Sequence, residues 1–541
     1  MDRPATGVCV SSIFLMVSAF FIFTASFSLA QEDLTEHFPV GPIFIREIRV
    51  TGSSIFSQEE LERTTASYVN RTVTAEELEE LRRELTLIYV NKGYISSGAI
   101  IPDQTIIQDS IRIHIVEGSL SEVDVEGCRK FDPQYFEKRL RIATAPPVNI
   151  NSLQRRLQLF QQDPRIRQIN SELKPGNRPG EAMLTVSVKE ENPLRFRVAF
   201  NNYRPPSIGS EQGLFIMDHQ NFLGIGDIFH FAFGLSEDFE SEIDLNYTLP
   251  INAYDTTASI RFRKADFAVI EEAFEPLDIT SKSKILEFTL RHPIYRSPRQ
   301  EFALAITGGY LQNESFLLNI PFDFGPGTED GKAVTTVLRF SQEWTFRTRN
   351  QVVAARSRFN VGVDALDATT IENSTIPDSK FVSWRGQFQW ARHFDFLDSQ
   401  VVFRTDLQLA NESLPSLERI AVGGRYSVRG YRENLFLRDE GLIASLESHI
   451  PLIRDKNWAD VLQLVPFMDY GWAENKDLPT ADPRYITSIG VGLQWEATLL
   501  SPYKLNPRFE IFWGIPLRDV ETSEWNLQDV GIHFQFSLGF I

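Results

Sequence analysis

The chain has 541 residues, a formal net charge of −18 and only two cysteines. A chain this acidic argues against nucleic acid as a partner. Cys9 lies in an apolar leader, so Cys128 is the only cysteine of the mature chain and an internal disulfide is excluded. Phenylalanine is abundant, with 42 residues, although the hydrophobic share of 42% is ordinary. The apolar residues are therefore distributed by pattern and not in long runs.

The one long apolar run extends from Val8 to Leu29, and the small residue Ala30 after it fits a signal-peptidase site. We therefore predict that residues 1–30 form a signal peptide and that 31–42 form a short N-terminal segment. The alternative is a retained membrane anchor, because the run is longer than the usual apolar core of a leader. Beyond it, no stretch reaches the roughly 20 apolar residues of a membrane helix.

Two α/β modules are predicted next, at residues 43–118 and 119–192, each with the order β-α-α-β-β. In the first module, Thr74-Ala75-Glu76-Glu77 is a capping-box sequence that opens a helical apolar pattern. The same order recurs from Leu120, so the two repeats of about 75 residues indicate a tandem array. Each module leaves a sheet edge that could accept an extended peptide.

These two modules resemble POTRA domains. The stretch Leu173-Lys174-Pro175-Gly176, with Pro179-Gly180 before the last strand, is similar to the second POTRA domain of two-partner secretion transporters. The resemblance implies that both modules lie in the periplasm. The first POTRA domain would then be 43–118 and the second 119–192.

From residue 193 to the end, apolar and polar residues alternate, as in Ile243, Leu245 and Tyr247 with acidic and amide residues between them. A soluble β-sandwich would bury the apolar set between sheets, whereas a membrane barrel would turn it to lipid. The leader, the segment lengths and the aromatics near segment ends favour the barrel. The sequence therefore predicts an α+β region followed by an all-β region, an antiparallel transmembrane barrel of about 16 strands over 193–541.

Strand counting places a glycine-rich stretch in the sixth external loop, between about Ala410 and Asp439. Its centre is Arg429, a permanent charge that requires a partner. Asp469 lies on the same face of its predicted strand as Phe467 and Gly471, and this face points to the lumen if Met468 faces lipid. An unpaired aspartate in a narrow lumen is costly, and a guanidinium is its natural partner. Parity therefore makes Asp469 a candidate lumen partner for Arg429.

The glycine-rich stretch resembles the loop-six signature of the POTRA-and-barrel transporter superfamily. The residues that carry this resemblance are Gly423, Gly424, Val428, Arg429, Gly430 and Tyr431, with the partner motif Phe467, Asp469 and Gly471. In that superfamily the loop folds back into the pore and its arginine meets the aspartate. Further family-like stretches are 221–227 and 247–251. With two POTRA-like modules, the chain is most similar to the ShlB/FhaC/HecB type of haemolysin secretion/activation protein.

The resemblance implies a translocation pore in outer-membrane lipid that secretes a haemolysin- or adhesin-like exoprotein, with the POTRA domains capturing the unfolded substrate in the periplasm. One alternative is an assembly factor that inserts other barrels. Another is a passive porin with periplasmic modules, which leaves Arg429 and Asp469 without a role. No catalytic residue, metal, cofactor or nucleotide is predicted, because the eight histidines are scattered and Gly224-x-Gly226 lacks a P-loop lysine.

Overall fold

The computed structural model describes residues 41–236, 240–272, 274–371, 375–499, 505–520, 522 and 525–540. The predicted signal peptide, 1–30, and most of the segment 31–42 lie outside these residues. Within them, no helix has the length and apolar character needed to cross a membrane. The chain divides into two compact units, Met1–Asp124 with Ala143–Leu153 and Glu172–Thr185, and Val125–Ile142 with Gln154–Ser171 and Val186–Ile541.

The first α/β module packs one long helix on a small sheet. Its elements are β1 (Ile43–Ile45), β2 (Glu47–Thr51), α1 (Gln58–Thr65), β3 (Arg71–Val73), α2 (Ala75–Asn91), β4 (Gly98–Ile100) and β5 (Ser110–Val116). Ser57 and Thr74 close capping boxes at the two helix starts, as the sequence pattern predicted for Thr74. Leu81 and Leu85 of α2 are fully buried against the sheet β2-β5-β4. Burial raises the pKa of Tyr89, at the end of this helix, to about 12.

The second module has the predicted order β-α-α-β-β, whereas the first contains an additional pair of short strands, β1 and β3. It consists of β6 (Ser119–Glu126), α3 (Pro133–Ala143), α4 (Ile150–Gln161), β7 (Ile166–Pro175) and β8 (Glu181–Glu190), and its strands are ordered β6-β8-β7. The division between the two compact units passes through this module. The domain limits at 118 and 192 therefore remain predictions.

Sixteen long antiparallel strands close into a barrel, because β27 pairs with β9. They are β9 (Leu194–Asn201), β10 (Gln212–His219), β11 (Ile228–Ser236), β12 (Ser241–Pro250), β13 (Thr257–Ala268), β14 (Ile279–Arg296), β15 (Gln300–Leu317), β17 (Lys332–Arg347), β18 (Gln351–Val363), β19 (Val382–Phe394), β20 (Ser399–Ala410), β23 (Glu440–Lys456), β24 (Ala459–Glu474), β25 (Tyr485–Glu496), β26 (Leu505–Pro516) and β27 (Ile532–Phe540). The two-residue β16 (Ile320–Pro321) pairs with the end of β15. The predicted fold class is confirmed.

The two faces of the barrel differ as the alternation predicted. On β17, Leu338 and Phe340 are exposed on the outer face, whereas Arg339 and Ser341, which alternate with them, are buried on the inner face. Charged residues of the inner face form pairs across neighbouring strands, such as Arg261 with Asp244 at 2.5 Å. The outer face is therefore apolar and the lumen polar, as in a barrel that crosses a membrane.

A cluster of one carboxylate and three arginines forms at turn two, the connection 251–256 between β12 and β13. Asp255 pairs with Arg139 of α3 at 2.7 Å, Arg156 of α4 at 2.9 Å and Arg296 at the end of β14 at 3.0 Å. Burial raises the pKa of Asp255, but the three guanidinium groups outweigh burial and hold the pKa below its usual value. This turn-two cluster fastens both helices of the second module to the rim of the barrel.

Turn one, residues 220–227 between β10 and β11, makes a second attachment. The Arg165 guanidinium donates to the Gly226 carbonyl at 2.6 Å, and the Asp132 amide donates to the Gly224 carbonyl at 2.7 Å. Gly226 lies so close to the ring of Tyr135 that a side chain would collide with it. The glycines of this turn therefore allow a close contact with the module.

Candidate functional site: loop six inside the barrel

Loop six, residues 411–439, connects β20 to β23. It contains a 3-10 turn (Ser416–Glu418) and a two-stranded sheet of β21 (Ile420–Val422) and β22 (Phe436–Arg438). Its central residues contact inward-facing side chains of β23 and β24. The loop therefore folds back into the lumen.

Arg429 is almost fully enclosed, with 1% of its surface exposed. Its Nε donates to Asp469 Oδ2 at 2.7 Å, and its Nη2 donates to Asp469 Oδ1 at 2.8 Å. The Arg429 amide also donates to Asp469, at 3.0 Å, so this carboxylate receives three hydrogen bonds from one residue. A two-pronged contact of this kind fixes both the position and the orientation of the guanidinium.

A second carboxylate completes the site. Arg429 Nη1 donates to Glu447 of β23 at 2.7 Å, and Nη2 donates to the Ser445 hydroxyl at 3.1 Å. The guanidinium carbon lies 3.7 Å from the centre of the Phe467 ring, a cation–π arrangement. Glu447 is shared, because Arg404 and His449 also contact it. Arg429, Asp469 and Glu447 are called the loop-six cluster below.

The other predicted residues shape the loop around this cluster. Val428 is fully buried, and Gly471 leaves the space that it occupies, since a side chain there would collide with it. The Tyr431 hydroxyl lies 3.0 Å from the Thr487 carbonyl and 2.9 Å from the Arg518 carbonyl. Gly430 has a φ of +94° and packs directly on the backbone of Gly514 in β26.

Gly423 and Gly424 form the turn that precedes the arginine. Their φ angles are +111° and +101°, a conformation that favours glycine. The Gly423 amide donates to the Ser427 hydroxyl at 2.8 Å, and the Gly424 amide donates to the Val428 carbonyl at 3.0 Å. The turn thus presents the Arg429 backbone and side chain to the same carboxylate.

Further ion pairs hold loop six to other parts of the wall. Arg425 lies 3.2 Å from Glu510 on β26, and Arg432 lies 2.6 Å from Asp529. Glu418 pairs at 2.5 Å with Arg339, which reaches it from β17. The loop is therefore fastened at several points along its length.

Sequence reasoning found Arg429, Asp469 and Phe467 but missed Glu447, Ser445 and Arg339. Glu447 shows the same inward parity as its neighbours on β23, and it pairs across the sheet with Phe467. That alternation was the only signal available for it. No spacing in the sequence could indicate which of many inward-facing carboxylates lies beside the loop.

Among the residues that the structure describes, no group of three or more His, Cys, Asp or Glu side chains could hold a metal ion. The site is instead a set of hydrogen bonds and ion pairs that ties a loop to the wall.

Comparison with known families shows which protein family the chain belongs to. A family model described as haemolysin secretion/activation protein ShlB/FhaC/HecB matches residues 180–495, more than half of the chain. The chain belongs to the ShlB/FhaC/HecB family. A model of the ShlB-type POTRA domain matches residues 43–118.

Relatives of this ShlB/FhaC/HecB protein include the outer membrane transporter CdiB of Dickeya dadantii (strain 3937), 23% identical over 412 residues that cover 73% of this chain and 70% of the relative. The heme/hemopexin transporter protein HuxB of Haemophilus influenzae (strain 86-028NP) is 20% identical over 450 residues, covering 77% and 73%. The solved structure of CdiB from Escherichia coli is 18% identical, covers 99% of this chain and 100% of that one, and gives a TM-score of 0.70.

These findings identify the protein as an outer-membrane transporter of the two-partner secretion family. They confirm the predicted family and the predicted location, with the barrel in the outer membrane and the POTRA region in the periplasm. The family is one of transporters and pores and not of enzymes.

Proposed function

We propose that this protein secretes one exoprotein partner, which its POTRA domains capture in the periplasm and which passes outward through the barrel lumen. The supporting observation is the loop-six cluster, in which a buried arginine ties an external loop to the inner wall at Asp469 and Glu447. A passive pore has no need of such a tie. The relatives named for transport, CdiB and HuxB, support a protein cargo.

Capture would use the edges of the two small sheets. Strands β2 and β4 are the edges of the first sheet, and β6 and β7 are the edges of the second. An extended, unfolded segment can add to such an edge through backbone hydrogen bonds, which makes capture tolerant of side-chain sequence. Folding of the cargo outside the cell would then drive transport, since the sequence offers no nucleotide-binding motif.

Deletion of the gene tests the proposal. We expect a single protein to disappear from the culture medium while other outer-membrane barrels remain at normal levels, measured by quantitative proteomics of medium and membranes. Broad loss of other barrels would contradict secretion and favour an assembly factor. Unchanged medium would contradict export altogether.

The role of the cluster is tested by Arg429→Ala, with Arg263→Ala as the matched control. Arg263 is an inward-facing arginine paired with Glu242 on the neighbouring strand and lies outside loop six. We expect Arg429→Ala to abolish secretion while the barrel still inserts, and Arg263→Ala to secrete normally. Full secretion by the Arg429 variant would show that the tie is dispensable.

Capture is tested by photo-crosslinking from the sheet edges, at Arg49 on β2 and Glu172 on β7. Gln154, exposed on α4, provides the control. Crosslinks from the two edge positions, but not from α4, to the protein lost in the deletion strain are the expected result. Equal crosslinking from all three positions would contradict edge capture.

A further inference from the structure

Tyr426 is an exception within loop six. Every other residue from Val422 to Tyr431 is buried, whereas Tyr426 is 71% exposed. Its neighbours on both sides are enclosed by the barrel wall, so the backbone has little freedom to turn the ring away. The loop therefore presents a single aromatic side chain to the open lumen.

The ring is held and not merely exposed. It meets the ring of Tyr203 edge to face, with centroids 5.6 Å apart and planes at 77°. The Arg425 guanidinium lies 5.3 Å from the Tyr426 ring and 3.8 Å from the Phe512 ring. The Arg425 amide donates to Glu433 at 2.5 Å and fixes the backbone just before the tyrosine. A ring with fixed neighbours loses little rotamer freedom when something binds it.

The ring faces a cavity of about 440 Å³ in the lumen. Strands β17 to β20 and β23 form its wall, and Ser445 and Arg404 of this wall contact the loop-six cluster, so the cavity lies beside that cluster. The inward-facing side chains of this wall include Glu343, Thr345, Gln389, Arg404 and Asp406. The cavity thus combines charged and neutral polar groups beside one tyrosine.

The charged groups already have partners. Arg291 donates to Glu343 at 2.8 Å, Arg385 donates to Asp406 at 2.5 Å, and Arg404 donates to Glu447 at 2.5 Å. Arg356, which also lines the cavity, forms an ion pair with Glu343 at 3.5 Å.

The neutral groups differ. Among the residues that the structure describes, the side chains of Thr345 and Gln389 have no hydrogen-bonding partner. The uncharged groups available to a ligand are thus a hydroxyl, an amide and an aromatic face.

We propose that Tyr426, Thr345 and Gln389 form a binding subsite in the lumen for an uncharged, extended stretch of the translocating polypeptide. An extended backbone offers one donor and one acceptor per residue, which an amide and a hydroxyl can match. The tyrosine ring packs on backbone and small side chains without a demand for a particular sequence. A charged side chain would lose water here without gaining a free counter-charge. This inference rests on the proposed function and names the chemistry of its cargo.

Single-channel recording of the full-length protein in a planar bilayer tests the subsite. The probe is a synthetic peptide of alternating glycine and threonine, added to either chamber, and the readout is the duration of each current blockade. We expect Tyr426→Ala to shorten blockades roughly two- to tenfold, the range of a lost aromatic contact. Tyr426→Phe, which keeps the ring, should retain them.

Phe340→Ala is the control, because Phe340 is an exposed aromatic on the outer face of the barrel. Peptides with alternate threonines replaced by lysine or by aspartate should give shorter blockades than the neutral peptide. Equal durations in wild type and Tyr426→Ala, longer durations with a charged peptide, or no blockade at all would overturn the subsite. The secretion proposal is judged separately by gene deletion in cells, so the two failures are distinguishable.

Discussion

Two clusters of arginines and carboxylates hold parts of this molecule to the barrel, and their proportions are reversed. In the loop-six cluster one arginine serves two carboxylates, Asp469 and Glu447. In the turn-two cluster one carboxylate, Asp255, serves three arginines. The loop-six cluster is almost completely buried, whereas Arg296 of the turn-two cluster is 41% exposed.

The difference teaches which residue each cluster depends on. Loss of Arg429 removes the ion-pair partner of the buried Asp469, whereas Glu447 retains contacts with Arg404 and His449. Loss of Asp255 leaves three positive charges, but Arg296 retains Glu301 and Arg139 retains the Tyr135 carbonyl. The inner cluster should therefore fail at Asp469 when its single arginine is lost, and the outer cluster should weaken gradually.

The largest expected effect is that of Arg429→Ala on loop six. Breaking a buried pair by removing one partner costs about 3–5 kcal/mol. Hydrogen exchange of the amides in 423–431 should become fast, because the loop leaves the wall. Amides protected as well as in the wild type would show that the remaining ion pairs of the loop suffice.

The two carboxylates of the loop-six cluster should differ. Asp469→Asn removes the charge from a group whose side-chain bonds all come from Arg429, and should weaken loop docking by about 3 kcal/mol. Glu447→Gln should cost less, about 1–2 kcal/mol, because Arg404 also pairs with that position and His449 also contacts it. Hydrogen exchange of the same amides gives both values. An equal or reversed order would mean that Glu447 is the main partner.

Asp255→Asn is the corresponding change at turn two. It removes the charge that three arginines share, and should weaken the attachment of α3 and α4 by about 1–3 kcal/mol. Protease sensitivity or hydrogen exchange of α3 and α4 reports this, with the exchange of β12 and β13 as an internal control. If the barrel strands lose protection to the same degree, the cluster stabilises the whole barrel and not the attachment.

The turn-two cluster should respond to pH in one direction. Its arginines hold the pKa of Asp255 below the usual value of about 4, so the attachment is fully present above that value. It is lost only as the pH falls through the lower, folded pKa. Exchange of α3 and α4, corrected for the intrinsic pH dependence, should therefore show an acid transition that Asp255→Asn lacks. The same transition in both proteins would assign it to another group.

The smallest effect is expected for Arg263→Ala in the lumen. Arg263 pairs with Glu242, but their side chains are 40% and 29% exposed, so water screens the pair. The change should alter stability by less than about 1 kcal/mol. The temperature at which the barrel unfolds on a heat-modifiability gel measures it. A large loss there would show that even exposed lumen pairs stabilise the barrel.

Alternation in the sequence predicted the barrel and the inward parity of Phe467 and Asp469, because each side chain in a strand has only two faces available. It could not predict Glu447, since the neighbour of a side chain across a closed sheet depends on register. Asp255 was missed for a related reason. A turn has no periodicity, and its partners Arg139 and Arg156 belong to helices more than a hundred and nearly a hundred residues earlier. The role of the loop-six residues in secretion remains a prediction.

The backbone contact between Gly430 and Gly514 has a consequence for how this chain can evolve. Gly514 pairs with Gly490 on β25, which in turn pairs with Phe467 on β24, so two glycines lie side by side on neighbouring strands. Elsewhere in the barrel, the constraint on residue choice runs along each strand, alternating between lipid and lumen. At these paired glycines the constraint on residue choice instead runs across the strands, along the interstrand hydrogen bonds. It excludes larger side chains, whether they are polar or apolar. Drift in sequence is thus blocked there by the shape of a neighbouring loop, although these glycines contribute no chemistry of their own.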